Sequence, residues 1–328
     1  MNEKFGVRIA GTGSYLPEKV LTNFDLEKMV DTSDQWIIER TGIRERRIAP
    51  ENMVTSDLAV EAAKKAIEDA KILPGDIDLI IVATTLPDMY FPSTACIVQQ
   101  KLNIRKAACF DISAACSGFI YGLAVAKSMI ESGPFKTCLL VGAEMLSKIT
   151  NWKDKTTCIL FGDGAGAAIL TRSETNKILS VYMEADGRYS NILELPAGGS
   201  RMPASEKTVK EGLHFIRMEG KEVFKLAVMK MLEASRKALE ASGKKIEDLA
   251  LLIPHQANLR IIEAIAERLT LPREKVFVNL DKYGNISAAT TIIALDEARQ
   301  QGRVKTGDIV ELIAFGGGLT WGAAVIEL

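Results

Sequence analysis

Cys116 is the residue of this sequence whose type and surroundings most directly suggest chemistry. It lies in residues 111–118 (DISAACSG), where an apolar strand pattern changes into the pattern of an apolar helix. Unpaired N–H groups and the dipole at a helix N-terminus favour a negative charge, so they lower the pKa of a thiol and make it a nucleophile. A small buried core cysteine is the alternative, and this segment alone leaves both interpretations open.

Two further polar side chains could act beside such a nucleophile. His255, one of 2 histidines in the chain, follows an apolar strand pattern in residues 253–258 (IPHQAN), and loops after such strands carry the active groups of α/β folds. Asn285 lies in residues 282–289 (KYGNISAA), just before another helix pattern. Each also has a structural interpretation, His255 as a hydrogen-bonding loop residue and Asn285 as a helix N-cap.

Three consecutive glycines, Gly316, Gly317 and Gly318, follow a predicted strand near the end of the chain. They lack the G-x-G-x-x-G spacing and a Walker lysine, so they do not indicate nucleotide phosphate binding. Glycines allow a close approach of the backbone, which lets an N–H group point at a developing oxyanion. A tight turn is the simpler alternative.

The spacing around these residues occurs twice. A glycine that ends a helix pattern lies 17 residues after Cys116, and another such glycine lies 17 residues after Asn285. Asp78 and Asp248 open two similar strand patterns. Cys116 lies 38 residues after Asp78, and Asn285 lies 37 residues after Asp248. One β-α-β pattern therefore occurs twice, which predicts a duplicated fold. If the halves pack about a pseudo-twofold axis, Cys116, Asn285 and His255 face one cleft.

The elements that must position these residues follow an alternating pattern. Apolar strand runs such as 78–85 (DLIIVATT) alternate with helix patterns such as 56–70 (SDLAVEAAKKAIEDA). This alternation predicts an α/β fold with a largely parallel sheet. The polar residues 171–176 (TRSETN) separate the repeats. We therefore expect an N-terminal half at 1–172 that carries the cysteine and a C-terminal half at 173–328 that carries the histidine and asparagine.

The composition argues against several classes of function. With 41 Lys and Arg against 42 Asp and Glu, the formal net charge of -1 gives no sign of nucleic-acid binding. No apolar run reaches membrane-spanning length, and the N-terminus shows no signal-peptide pattern, so we expect a cytoplasmic protein. The 5 cysteines form no CxxC pair, which predicts free thiols in a reducing compartment and no metal site.

Four segments together resemble the β-ketoacyl-acyl-carrier-protein synthase III family: residues 111–118, 254–258 (PHQAN), 284–289 (GNISAA) and 315–318 (FGGG). The resemblance runs from residues 11–13 (GTG) to residues 321–324 (WGAA), so it covers essentially the whole chain. It implies the thiolase fold, in which two duplicated β-α-β halves pack as a five-layered α-β-α-β-α sandwich.

The resemblance implies an acyltransferase that starts type II fatty-acid synthesis by a decarboxylating Claisen condensation. Cys116 would take an acyl group from acyl-CoA as a thioester, and malonyl-acyl-carrier protein would then condense with it in a ping-pong reaction. His255 and Asn285 would donate hydrogen bonds to the malonyl thioester carbonyl and stabilise the enolate left by carbon dioxide. The N–H groups of Cys116 and Gly318 would form the oxyanion hole. No cofactor is implied, because the CoA thioester is a substrate.

Related families differ in their catalytic residues. Elongating ketoacyl synthases use two catalytic histidines, and His214 lies outside any such motif, which argues against that class. Degradative thiolases carry a second catalytic cysteine near the C-terminus, whereas no Cys follows Cys158 in this sequence. Two alternatives stay open. One is a ketosynthase III-like enzyme of secondary metabolism that uses another starter or malonyl-CoA. The other is a scaffold or acyl-CoA sensor that has kept the fold.

The resemblance also implies residues for CoA and for the acyl chain. Trp36 would stack on adenine and Arg40 would meet phosphate. Lys155 stands where relatives often have an arginine, which stacks better than lysine, and Phe224 would line the pantetheine tunnel. Phe91 would reach the acyl pocket of a partner subunit, which implies a homodimer. The starter itself, acetyl or a short branched acyl group, is not readable.

Three basic residues are candidates for binding the carrier protein: Lys225, Arg260 and Arg268. The helix pattern from residue 258 leaves Arg260 and Arg268 outward, and a near-neutral chain can still present a local basic patch to an acidic carrier. Glu263 and Glu267 on the same helix weaken this interpretation, and an ordinary solvated helix face is the alternative.

Overall fold

The computed structural model describes residues 5–328. Its strands are β1 (Gly6–Tyr15), β2 (Val20–Thr22), β3 (Glu45–Arg47), β4 (Leu79–Ala83), β5 (Ala108–Ile112), β6 (Thr137–Met145), β7 (Asp163–Ser173), β8 (Ile178–Ala185), β9 (Leu193–Glu194), β10 (Arg217–Met218), β11 (Leu249–Pro254), β12 (Ile309–Gly316) and β13 (Thr320–Glu327). Its α-helices are α1 (Asn23–Glu27), α2 (Asp34–Thr41), α3 (Thr55–Ala70), α4 (Thr94–Lys101), α5 (Gly118–Ser132), α6 (Glu206–Lys210), α7 (Gly220–Ser242), α8 (Leu259–Arg268), α9 (Leu280–Tyr283) and α10 (Thr290–Gln300).

Two large sheets form the framework. The first has five strands in the order β1-β7-β6-β4-β5. Strands β6, β4 and β5 run parallel to one another, whereas β7 runs antiparallel to both of its neighbours, β1 and β6. The second has four strands in the order β11-β12-β13-β8, with only β11 and β12 parallel. Apolar runs form β4 and most of β6 and β12, as expected for strands covered on both faces.

Helices cover both faces of each sheet. α3 and α4 pack their apolar residues on the outer face of the first sheet, and α7 and α8 do the same on the second. The apolar helix α5 and the helix α10 lie between the sheets, in the largest core cluster of the chain. The layers therefore run α-β-α-β-α, and the predicted fold class is confirmed. The expectation of a largely parallel sheet is wrong, because four of the seven strand pairs in the two large sheets are antiparallel.

The duplication is visible in the strand order. The order β8-β13-β12-β11 repeats the order β1-β7-β6-β4, and an isolated parallel bridge between Leu252 and Val276 lies where a fifth strand would follow. The predicted division into residues 1–172 and 173–328 falls at the C-terminal end of β7 and stays a prediction. Within residues 5–328, no helix is both long enough and apolar enough to cross a membrane.

The predicted equivalence of Cys116 and Asn285 is wrong by three residues. The matching elements are two short 3-10 turns, Ala115–Ser117 before α5 and Ser287–Ala289 before α10. Cys116 is the second residue of its turn, whereas Asn285 lies two residues before the other turn. Both turns begin with a residue in the left-handed region, Ala115 at φ 45° and Ser287 at φ 43°. The two halves thus share a backbone shape here and place different side chains on it.

Candidate active site

Cys116 lies in the turn that joins β5 to α5. Its side chain is nearly buried, with 8% of its surface exposed. The backbone of Gly316, at the end of β12, passes directly over this turn: a Cβ atom on Gly316 would lie 2.5 Å from the nitrogen of Cys116. A glycine is therefore required at this point, because any side chain would collide with the nucleophile's backbone.

The expected lowering of the Cys116 pKa is not found. Burial raises the pKa of the thiol to about 12, although the nearby Ser287 side chain acts in the opposite direction. The nearby carboxylate of Glu144 raises the pKa further. Desolvation of the thiolate outweighs the helix N-terminus here, so the resting side chain is a neutral thiol.

His255 directly follows β11 and is held from two sides. Its backbone N–H donates to the carbonyl of Ile313 at 2.7 Å, and its Nδ1 atom lies 2.6 Å from the hydroxyl of Thr290, the first residue of α10. Only 4% of its surface is exposed, and burial lowers the pKa of the imidazole to about 3. His255 is therefore a neutral imidazole whose Nδ1 position is occupied.

Asn285 is oriented by its own backbone neighbours. Its Oδ1 atom accepts the N–H of Ser287 at 2.8 Å, so the carbonyl end of the amide is already used and the NH₂ end is left to donate. The main chain of Asn285 donates to the carbonyl of Leu160 at 2.8 Å and accepts from Gly162 at 3.1 Å. The preceding Gly284 has a φ of 66° and approaches the same Leu160 carbonyl, which explains the glycine before Asn285.

These three side chains belong to one connected cluster. The turn that holds Cys116 contacts the Ser287–Ala289 turn, and the N–H of Ser287 donates to the amide oxygen of Asn285. The hydroxyl of Thr290 joins the imidazole of His255 to the carbonyl of Ser287, at 2.6 and 3.1 Å. The structure therefore brings the predicted nucleophile and both predicted donors to one buried place between the halves.

A fourth member of this cluster, Glu144, was missed by reasoning from the sequence. It is the charged residue of β6 (TCLLVGAEM), and its side chain is fully buried. Its carboxylate accepts the N–H and the hydroxyl of Thr85, at 3.1 and 2.8 Å. Burial raises the pKa of Glu144 to about 7. A lone acidic residue inside an apolar strand pattern was the available signal, because a buried carboxylate requires partners.

The glycines that follow β12 are tied to the nucleophile's turn. The hydroxyl of Thr320 lies 2.6 Å from that of Ser117 and donates to the carbonyl of Ala114 at 2.9 Å. Gly318 has a φ of 140°, a conformation that favours glycine. This connection keeps the Gly316–Gly318 backbone beside Cys116, where the oxyanion hole is predicted.

The residues predicted to bind CoA lie on surface elements around the site. The guanidinium of Arg40 stacks over the ring of Trp36 at 5.3 Å, and the Arg40 carbonyl accepts from the side chain of Asn258 at 3.1 Å. α2 is thereby attached to the loop that carries His255. Lys155 is exposed and pairs with Asp31 at 3.3 Å.

A groove between α7 and α8 contains most of the other predicted surface residues. Its volume is about 370 Å³, and it is lined by Phe224, Lys225, Val228, Met229, Leu232, Ala264 and Arg268. The guanidinium of Arg260 lies 5.7 Å from the ring of Phe224. The groove therefore has an apolar floor with basic side chains around it.

Two predicted features lie away from the cluster. Phe91, on the loop after β4, is 85% exposed and lies next to Tyr90, which is 78% exposed. Within the single chain it therefore covers no acyl pocket. His214 hydrogen-bonds to the hydroxyl of Thr208 at 2.9 Å, in agreement with its place outside the predicted site.

Comparisons with known proteins identify the family. Residues 110–187 match the family described as 3-oxoacyl-[acyl-carrier-protein] synthase III, and residues 239–328 match its C-terminal family. The chain is 61% identical to the β-ketoacyl-[acyl-carrier-protein] synthase III of Caldanaerobacter subterraneus subsp. tengcongensis, over 100% of this chain and 99% of that protein. It is 55% identical to that of Clostridioides difficile, again over 100% and 99%.

Solved structures agree with these relatives. The crystal structure of 3-oxoacyl-[acyl-carrier-protein] synthase III from Aquifex aeolicus is similar with a TM-score of 0.91 and 52% identity, over 98% of this chain and 100% of that one. The priming β-ketosynthase of the R1128 polyketide pathway is similar with a TM-score of 0.93 and 34% identity, over 100% and 98%. The chain therefore belongs to the β-ketoacyl-[acyl-carrier-protein] synthase III family, which its sequence motifs predicted.

Proposed function

We propose that the chain condenses an acyl-CoA starter with malonyl-acyl-carrier protein, releasing carbon dioxide and giving 3-oxoacyl-acyl-carrier protein, the first condensation of type II fatty-acid synthesis. The observation that carries this proposal is the buried cluster of Cys116, His255 and Asn285 in a member of this family. Acetyl-CoA and short branched acyl-CoA are the starters we propose, and the cytoplasm is the compartment. The protein's own residues suffice for this chemistry without a cofactor.

The first half-reaction is an acyl transfer to Cys116. Its sulfur attacks the thioester carbonyl of acyl-CoA, CoA leaves, and the enzyme carries the acyl group as a thioester. The N–H groups of Cys116 and Gly318 are proposed to hold the oxyanion, since Gly316 brings this backbone against the nucleophile.

The second half-reaction needs hydrogen-bond donors rather than a base. Loss of carbon dioxide from the malonyl group leaves its electron pair on carbon, so no C–H proton has to be removed. The NH₂ group of Asn285 is free to donate to the thioester carbonyl because Ser287 occupies Oδ1. His255 can donate through Nε2 when the Thr290 hydroxyl donates to Nδ1. The resulting enolate attacks the acyl group on Cys116.

The two substrates are proposed to use the outer surface of the site. Trp36, Arg40, Lys155 and Phe224 would bind CoA, with Arg40 already stacked on Trp36. Lys225, Arg260 and Arg268 would contact the carrier protein beside the α7–α8 groove, because acidic partners favour basic rims.

A homodimer is proposed as the active assembly. β5 is an outer strand of the five-stranded sheet, and the exposed aromatic pair Tyr90 and Phe91 lies on the loop between β4 and α4. Unpaired strand edges and exposed aromatic side chains favour association. In such a dimer, Phe91 would enter the acyl pocket of the other subunit. Light scattering tests the assembly, and a monomer at micromolar concentration would contradict it.

The intact mass of the protein after incubation with acetyl-CoA tests the proposed function. We expect one acetyl adduct, absent from Cys116→Ala, and its discharge by malonyl-acyl-carrier protein with release of carbon dioxide. If a panel of acyl-CoA thioesters gives no adduct, the proposal is wrong.

Similarity to the R1128 priming ketosynthase favours one second candidate, a ketosynthase of secondary metabolism. Such an enzyme would use another starter or accept malonyl-CoA directly. Comparing rates with malonyl-carrier protein and with malonyl-CoA separates the two, because a preference for the free CoA ester favours the second candidate.

A further inference from the structure

Gln256, the residue after His255, has a side-chain amide that the mechanism above does not use. The side chain is buried, and the three hydrogen bonds of its amide go to backbone groups. Its Nε2 atom donates to the carbonyls of Pro254 and Phe277, at 2.7 and 3.2 Å. Its Oε1 atom accepts the N–H of Asn279 at 3.0 Å. A carboxamide has two N–H groups and one carbonyl, so each polar group of this side chain has a partner.

The amide lies where the backbone pairing of β11 with the chain after α8 stops. Val276 forms a parallel bridge with Leu252 of β11, and the N–H of Phe277 donates to the Leu252 carbonyl at 2.9 Å. If this parallel ladder continued, the N–H of residue 254 would donate to the Phe277 carbonyl, and the carbonyl of residue 254 would accept from Asn279. Residue 254 is a proline, which has no N–H group, so the ladder cannot continue.

The side chain of Gln256 replaces the missing part of the ladder. Its Nε2 atom donates to the Phe277 carbonyl, for which Pro254 supplies no donor. The amide also lies between the Pro254 carbonyl and the Asn279 N–H, which would bond to each other in a continued ladder. A carboxamide has the same donor and acceptor groups as a peptide unit, so it satisfies the backbone of both segments. One amide therefore joins the two segments and also keeps them apart.

The two segments that Gln256 joins carry the two proposed donors. His255 directly precedes Gln256 on one side. On the other side, α9 begins directly after Asn279, and Asn285 follows the end of α9 by two residues. The side chain of Asn279 is also held, because its Nδ2 atom donates to Glu297 of α10 at 2.9 Å. The position of α9, and with it the backbone of Asn285, therefore depends on the amide next to His255.

We propose that Gln256 is a positioning residue that sets the spacing between His255 and Asn285 for the decarboxylation of the malonyl group. Both donors have to reach one thioester carbonyl, so a displacement of either weakens the stabilisation of the enolate. The acyl group reaches Cys116 before this step, and the turn of Cys116 is fastened by Thr320 instead. The inference rests on the proposed function and assigns Gln256 to its second half-reaction alone.

Gln256→Met tests the inference, because methionine is similar in length and has no N–H group. When the acetylated enzyme is mixed with saturating malonyl-acyl-carrier protein, we expect carbon dioxide release to be about 10- to 100-fold slower than in the wild type, with little change in KM. The rate of acetyl adduct formation from acetyl-CoA should stay within about twofold of the wild-type rate. A general loss of folding would slow both half-reactions together.

Ser180→Ala is the matched control for the loss of a buried hydrogen bond. The hydroxyl of Ser180 is buried between β8 and α7 and donates to the carbonyl of Ala238 at 2.6 Å. Its removal should lower the free energy of unfolding and leave the rates of both half-reactions unchanged. Unchanged carbon dioxide release in Gln256→Met, or an equal loss of both half-reactions, would overturn the inference.

Should Gln256→Met fail to fold, Gln256→Asn decides by the same readouts. Its amide is one methylene group shorter and draws back from Phe277 and Asn279, so we expect slower carbon dioxide release with normal acylation. Equal rates in this variant and the wild type, or equal losses in both half-reactions, would again overturn the inference. Absence of any acetyl adduct in the wild type would instead refute the proposed function.

Discussion

The Nδ1 atom of His255 lies 2.6 Å from the Oγ1 atom of Thr290, and that hydroxyl also lies 3.1 Å from the carbonyl of Ser287. The hydroxyl has one proton, so it can donate to only one of these two partners. If it donates to the carbonyl, the neutral imidazole carries its proton on Nδ1; if it donates to the imidazole, the proton is on Nε2. Only the second arrangement offers a donor to the substrate.

Thr290 should therefore control decarboxylation through the tautomer of His255. Thr290→Val removes the hydroxyl and should lower the rate of malonyl decarboxylation by about 10- to 100-fold, the effect of losing one buried hydrogen bond. Thr290→Ser keeps the hydroxyl and should retain most of the rate. ¹⁵N NMR of the imidazole reports the tautomer, and an unchanged rate in Thr290→Val would contradict this role.

Asn285→Asp should separate the two half-reactions. The new carboxylate can still accept the Ser287 N–H but has no proton to donate at neutral pH, and its charge repels the enolate. We expect decarboxylation to fall by about 100-fold or more, whereas acyl transfer to Cys116 persists. Mass spectrometry of the adduct and carbon dioxide release measure the two steps. If the variant loses acyl transfer and decarboxylation to the same extent, Asn285 supports the fold of the site instead.

Gly316→Ala should block acyl transfer. The added Cβ would lie 2.5 Å from the nitrogen of Cys116 and 3.1 Å from the Cβ of Ala115, so the nucleophile's turn has to move. Gly187→Ala is the matched control, because a Cβ there meets nothing within 4 Å. We expect no acetyl adduct in the first variant and a normal adduct in the second. Normal acylation of Gly316→Ala would show that this turn is adaptable.

Glu311 should make the stability of the fold depend on pH. It is fully buried in β12, with Oε2 accepting the Ser235 hydroxyl at 2.9 Å, and burial raises its pKa from 4.5 to about 8. The folded state therefore binds the proton more tightly, so this residue's contribution is fully present below pH 4.5 and is lost as the pH rises to about 8. Glu311→Gln should be more stable than the wild type at pH 8.5 by roughly 2–4 kcal/mol.

Urea denaturation at pH 5 and pH 8.5 measures this difference. The advantage of Glu311→Gln should shrink at the lower pH, where the wild-type carboxyl is protonated. Glu144, which also titrates inside the protein, is present in both proteins and cancels in the comparison. A constant difference between the two proteins across this range would contradict the assigned titration.

Arg268→Glu should weaken use of the carrier protein without affecting the chemistry. Reversal of one rim charge should raise KM for malonyl-acyl-carrier protein by about 10-fold and leave acylation by acetyl-CoA unchanged. Lys237→Glu makes the same charge change on an exposed position of α7 outside the groove. Steady-state kinetics with the carrier protein compare the two. Equal effects of both variants would place the carrier elsewhere.

Local patterns in the sequence determined the fold class, the repeat and the identity of the three reactive residues. Apolar runs and helix patterns depend on neighbouring residues, so β4, β6 and α5 were predictable one segment at a time. The motifs around Cys116, His255 and Asn285 are equally local, and their order along the chain was sufficient to predict the family.

Only the tertiary structure decided the electrostatics and the partners of those residues. The pKa of Cys116 depends on desolvation by surrounding segments, which outweighs the helix N-terminus that the sequence displays. Glu144 and Thr290 lie at the site because β6 packs against the Ser287–Ala289 turn and α10 continues from that turn. The contact of β6 with this turn joins residues more than a hundred positions apart. A buried carboxylate and a threonine become parts of an active site only when long-range packing removes water and places them beside it.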